Sequence, residues 1–153
     1  MHADHARICE LLESVCSPDG IDYGAYQRFR GGLLRHIAIE ENILVPAIKK
    51  LRDGVDLPAA RQLKHENAAL ASMLVPTPTN EIVARLKKLL AMHDMDAEGR
   101  DGLYAELERI TGNDLENLLR RMDSAPAASL AAYRDGPKTF ETIERLMLAA
   151  GWK

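Results

Sequence analysis

The stretch His36-Ile37-Ala38-Ile39-Glu40-Glu41-Asn42-Ile43-Leu44-Val45-Pro46-Ala47 decides how this chain is read. An imidazole and a carboxylate stand four residues apart in it. On a helix that spacing puts both side chains on one face, about one turn from each other. Leu33, Ile37, Leu44 and Ile48 recur at helical spacing through the same segment, so His36 and Glu40 border an apolar stripe and point inward. The helix is long: it starts near Asp22, an aspartate able to cap the first exposed amides, and runs to about residue 51. Each of Gly31 and Gly32 costs on the order of 1 kcal/mol, and Pro46 removes a backbone donor, so a bend is expected near its end.

Working outward, Ile8, Leu11, Leu12 and Val15 mark a first helix over residues 2–16, stopped by Ser17-Pro18-Asp19-Gly20. A third helix opens at Asp56-Leu57-Pro58, with an aspartate cap and a proline in its first turn, and runs to about residue 75. The loop Pro76-Thr77-Pro78-Thr79-Asn80 leads to a fourth helix, capped by Asn80, that reaches about residue 110 and is weakened by Gly99 and Gly102. Beyond Thr111-Gly112-Asn113 the pattern shortens to 115–122 and 139–149, read as two or three short helices outside the bundle. Aromatic residues make up only 5% of the chain, too few to favour strands. The expected fold is therefore all-α: an up-down four-helix bundle over residues 1–110, with residues 111–153 as a C-terminal helical extension packed on the same domain.

Five histidines, His2, His5, His36, His65 and His93, are spread so that each of the four long helices carries at least one. A buried imidazole must hydrogen-bond both nitrogens or carry a desolvated charge, whereas several imidazoles converging on one cation satisfy each other. The helical phases favour convergence. His5 leads the stripe Ile8, Cys9, Leu12 and Cys16; His65 is in phase with Ala68, Ala69 and Met73; His93 lies near the phase of Leu86, Leu89, Leu90 and Met92. Glu98 follows His93 by five residues, on an adjoining face. Imidazoles and carboxylates from facing helices are the usual donors of metal sites in bundle interiors. Glu66 follows His65 directly, about 100° around the helix, and is expected to replace a ligand poorly. Tyr23, Tyr26 and Tyr104 are assigned no role, and Cys9 is read as a small core residue.

The segment His36 to Ala47 resembles the HxxxE(E)xxLFP signature of hemerythrins and their bacterial HHE-domain relatives. The similarity continues in the family's order with His5-Ala6-Arg7-Ile8, Lys64-His65-Glu66-Asn67, and His93 to Glu98. It covers roughly residues 2–110. The resemblance implies a hemerythrin-like bundle in which His5 and His36 bind one iron, His65 and His93 a second, and Glu40 and Glu98 bridge them. One position departs, because Ala69 stands where the family presents another ligand. Two irons, one iron, or zinc in their place are all compatible with the donors that remain.

The implied function is binding or sensing of oxygen or a related diatomic ligand at non-haem iron, rather than enzymatic turnover. Iron handling or peroxide detoxification is a second class, and a helical interaction module with a degenerate metal site a third. Oxygen-dependent colour, peroxide turnover and indifference to chelation respectively distinguish them. The charge balance, 20 basic against 23 acidic residues and a net -3, offers no basic stripe for nucleic acid. Neither a signal peptide nor an apolar run of the roughly 20 residues that a membrane helix needs is evident, so a cytoplasmic protein is expected.

Overall fold

The computed structural model describes residues 2–98, 103–110 and 112–152, and the side chains of all of these except 2 and 94–98. Its elements are α1 (His2–Glu13), β1 (Cys16–Ser17), β2 (Gly20–Ile21), α2 (Tyr23–Ile39), a π-helical turn (Glu40–Leu44), α3 (Val45–Leu51), α4 (Pro58–Met73), α5 (Asn80–Glu98), α6 (Leu103–Leu107), α7 (Gly112–Asp123) and α8 (Pro137–Ala149). The fold is an all-α, up-down four-helix bundle. The second bundle helix is the continuous α2, π-turn and α3, while α1 packs on α2 and α5, and α4 on α5. Among the described residues no helix is long and apolar enough to cross a membrane.

Local chemistry explains most boundaries. The Asp22 side chain accepts a hydrogen bond from the Ala25 amide at 2.9 Å, the expected cap of α2. The first helix ends earlier than its apolar pattern suggested, because Cys16 and Ser17 turn into a short antiparallel ribbon with Gly20 and Ile21 around Pro18-Asp19. Asp56 does not cap α4. It pairs instead with Lys49 at 2.9 Å, and Leu57 precedes Pro58 at the start of the helix. Thr79 rather than Asn80 serves α5, its hydroxyl accepting from the Ile82 amide at 3.2 Å. Gly99 and Gly102 lie outside the described residues.

The bend expected near Pro46 is a π-turn. Val45 N–H bonds to Glu40 C=O, five residues back, and a fresh α-helix starts with Pro46 in its first turn, where a missing donor costs nothing. The extra residue in that turn lets the helix accommodate proline without breaking.

Two apolar clusters fill the interior. One gathers Ile8, Leu12, Phe29, Leu33, Leu70, Leu86 and their neighbours, and the other Ile39, Leu44, Ile48, Leu63, Leu103 and Leu118. The C-terminal segment is more integral than its sequence implied. Helix α8 packs against α4 and puts Ile143, Met147, Ala150 and Trp152 into the first cluster. Gly151, with φ +77°, supplies the left-handed turn that lets the Trp152 amide bond back to Met147 C=O at 2.9 Å and returns the indole to the core.

Candidate metal centre

Between the two apolar clusters lies a buried polar layer. Helix α1 contributes Asp4 and His5, α2 His36, the first residue of the π-turn Glu40, α4 Glu66 and Asn67, α5 His93, and α6 Tyr104. All of these except Asp4 are buried. His5, His36, Glu40 and His93 each offer one ligand atom, and the four atoms lie within 4.8 Å of one another.

The contacts are specific. His5 Nε2 is 2.9 Å from His36 Nε2, and His36 Nε2 is 3.2 Å from Glu40 Oε1. The Tyr104 hydroxyl sits 2.8 Å from His5 Nε2 and donates to Glu40 Oε1 at 2.8 Å. The other carboxylate oxygen of Glu40 accepts from Asn67 Nδ2 at 3.1 Å and lies 3.7 Å from His93 Nε2.

Behind this inner group stands a second row of carboxylates. His36 Nδ1 is 2.8 Å from Asp4 Oδ2, and His93 Nδ1 is 3.0 Å from Glu66 Oε2. Arg7 holds the Asp4 carboxylate at 2.7 Å, and Gln62 holds Glu66 at 2.8 Å. A neutral imidazole that donates from Nδ1 to a carboxylate presents the lone pair of Nε2, and the carboxylate makes that lone pair more basic. Both Nε2 atoms face the centre, and His93 Nε2 is buried with no hydrogen-bond partner among the described residues. Such a donor set fits a cation.

The electrostatics of the ion-free layer agree. Burial alone pushes the His36 pKa down, but hydrogen bonds and charge from Asp4 and Glu40 override it and raise it to about 9. For Glu40 burial acts upward. The His36 hydrogen bond, the charges of His36 and His93 and the Tyr104 hydroxyl outweigh it and lower the pKa to about 2. The His36 hydrogen bond, aided by Arg7 against the effect of burial, holds the Asp4 carboxyl well below its ordinary range.

The structure thus brings together His5, His36, Glu40 and His93. It does not bring His65, which is exposed on the outer face of α4. The inward face of that helix carries Leu63, Glu66, Asn67, Leu70 and Met73, so the phase through Ala68, Ala69 and Met73 was rotated by about one residue. Glu66, judged a poor replacement from its position beside His65, is the α4 residue that reaches His93. Ala69 is buried in the first apolar cluster. The side chain of Glu98 lies outside the described residues. Asp4, Asn67 and Tyr104 were missed from sequence, although the stripe Leu63, Leu70, Met73 and Leu74 pointed to the inward phase of Asn67.

Comparison with protein families gives a match over residues 1–125 to the hemerythrin HHE cation-binding domain. The chain belongs to that family. The match runs past Ile110 through α6 and α7, so Tyr104 falls inside the hemerythrin HHE domain while α8 falls beyond it. Searches of curated proteins and of solved structures returned no match. Membership in a cation-binding family and the buried His/Glu cluster agree on metal binding.

Proposed function

We propose that this hemerythrin-like domain holds non-haem iron through His5, His36, Glu40 and His93 and uses it to bind or sense oxygen or a related diatomic molecule. The observation that carries this reading is the convergence of four buried donors on one point, with the far nitrogens of His36 and His93 tied to carboxylates. Three imidazoles and a carboxylate suit iron, and they suit zinc nearly as well. One ion is what the described donors support. The pair implied by resemblance drew on His65, which faces solvent, and on Glu98.

In this reading the protein's own groups do the following. Asp4 and Glu66 fix the rings of His36 and His93, and Asn67 orients Glu40 by taking its second oxygen. In the absence of a cation His36 holds a proton that must leave when the ring becomes a ligand. The flanking apolar clusters keep bulk water from the layer. Iron, when bound, supplies the electron density that a diatomic ligand accepts.

The test is anaerobic metal analysis of protein from iron-supplemented cells, followed by optical spectra before and after air. Iron at or above one ion per chain and a new visible band on aeration are expected. His36→Ala and Glu40→Ala should lose most of the iron and keep their helical circular dichroism. Full occupancy in both variants, or a wild type with no iron and no spectral response, overturns the proposal. Catalytic consumption of peroxide would instead place the domain among detoxifying proteins.

A further inference from the structure

Resting on the metal-centre reading above, we infer that Tyr104 is itself a metal ligand, its phenolate oxygen completing a four-cornered ring with His5, His36 and Glu40. The four donor atoms close on themselves: His5 Nε2 to His36 Nε2 at 2.9 Å, His36 Nε2 to Glu40 Oε1 at 3.2 Å, Glu40 Oε1 to Tyr104 Oη at 2.8 Å, and Tyr104 Oη back to His5 Nε2 at 2.8 Å. Ligands at right angles around one ion with bonds of about 2.1 Å, the bond length of first-row metal ions to nitrogen and oxygen, stand about 2.9 Å apart. Neighbouring ligands of one ion therefore stand as far apart as these atoms do.

Valence at His5 points the same way. An imidazole nitrogen has one in-plane site, either a lone pair or an N–H. His5 Nε2 nevertheless has both the Tyr104 hydroxyl and His36 Nε2 within 2.9 Å. Hydrogen bonding serves one such neighbour well, whereas a cation at the centre serves all four donors at once. Glu40 is oriented to match, since Asn67 occupies Oε2 and leaves Oε1 to the ring. Tyr104 is held in place from behind, because α6 buries Leu103 and the Tyr104 ring in the second apolar cluster. When the ligand bond forms, the phenol proton passes to solvent and the oxygen binds as phenolate.

A phenolate on ferric iron produces an intense visible charge-transfer band whose resonance Raman spectrum contains tyrosine ring modes. The experiment loads the whole chain with ferrous iron anaerobically, oxidises it with ferricyanide, and records both spectra with and without ring-deuterated tyrosine. Bound iron with isotope-shifted ring modes in wild type, and loss of both the band and those modes from the iron that Tyr104→Phe retains, is the expected result. Iron bound at the wild-type ratio with no tyrosine modes overturns the inference, leaves the metal centre standing, and reduces Tyr104 to a hydrogen-bond donor. Failure of the wild type to bind iron overturns both. Should Tyr104→Phe not fold, the band's survival in Tyr26→Phe and Tyr133→Phe, with Tyr23 exposed on the surface, assigns it by elimination; its loss in either variant overturns the inference.

Discussion

The apolar cluster around Phe29 and the polar layer around Glu40 are built from the same helices, yet they are held together by different physics. In the first, Ile8, Tyr26, Phe29, Leu33, Leu86 and Trp152 exclude water by contact alone, and their stabilisation scales with the area they remove from it. In the second, every buried atom needs a partner of the right charge. Most find one through two chains, Asp4 to His36 to Glu40 to Asn67, and Gln62 to Glu66 to His93, while His93 Nε2 and Asn67 Oδ1 find none among the described residues. The apolar cluster should therefore ignore pH and metal, and the polar layer should answer to both. The molecule stays folded through one region and is tuned through the other.

The largest expected effect breaks the first region. Phe29 is fully buried against Tyr26, with ring centroids 5.9 Å apart. Phe29→Ala removes a large side chain from a close-packed site and should cost about 3–5 kcal/mol in urea unfolding. The folded fraction should still bind metal at the wild-type ratio, since Phe29 belongs to the apolar cluster and supplies no donor atom to the layer. A stable variant that loses metal would show that packing in the apolar cluster sets the geometry of the layer.

Next in size is a pH effect confined to the second region. In the ion-free protein the His36 pKa is raised from 6.5 to about 9, so its contribution to stability is fully present below about 6.5 and is lost as pH rises through 9. The size is on the order of 3 kcal/mol. Glu40 has the opposite sign. Its pKa is lowered from 4.5 to about 2, so its contribution is present above 4.5 and is lost as pH falls through 2. Together these two groups place the ion-free optimum between about 4.5 and 6.5. Denaturation of chelator-treated protein from pH 6 to pH 10 should show the fall, and His36→Gln should flatten it. A wild-type profile that is flat across that range would mean the layer is not charged as its contacts indicate.

The same contrast explains what could be read from the sequence. Apolar periodicity is a local property, and it located the four bundle helices and the inward phase of His36 and Glu40, because Leu33, Ile37, Leu44 and Ile48 leave little freedom of rotation. In α4 the alanines blurred the stripe. Ala68 and Ala69 weigh little in either direction, and a one-residue rotation exchanged exposed His65 for buried Glu66. Polar partnership is a tertiary property that no spacing encodes. Asp4 meets His36 across two helices, and Tyr104 reaches the layer only because the chain after α5 returns as α6. Trp152 likewise depends on the turn at Gly151, which the sequence marks as a helix stop and not as a return to the core.

The smallest effect sharpens the comparison. Asp22 caps α2 at the apolar end of the bundle, accepting from the Ala25 amide, and among the described residues shares no hydrogen bond with the polar layer. Asp22→Ala should cost about 1 kcal/mol, the ordinary loss of a cap. Because cap and layer share a helix but no partner, the loss should add to the pH effect rather than interact with it: the stability profile shifts down by the same amount at pH 7 and at pH 9. A parallel shift means that α2 transmits no strain between its ends. If the cap variant instead altered the slope, fraying at Tyr23 would be felt at His36, and α2 would be the mechanical link between the two regions.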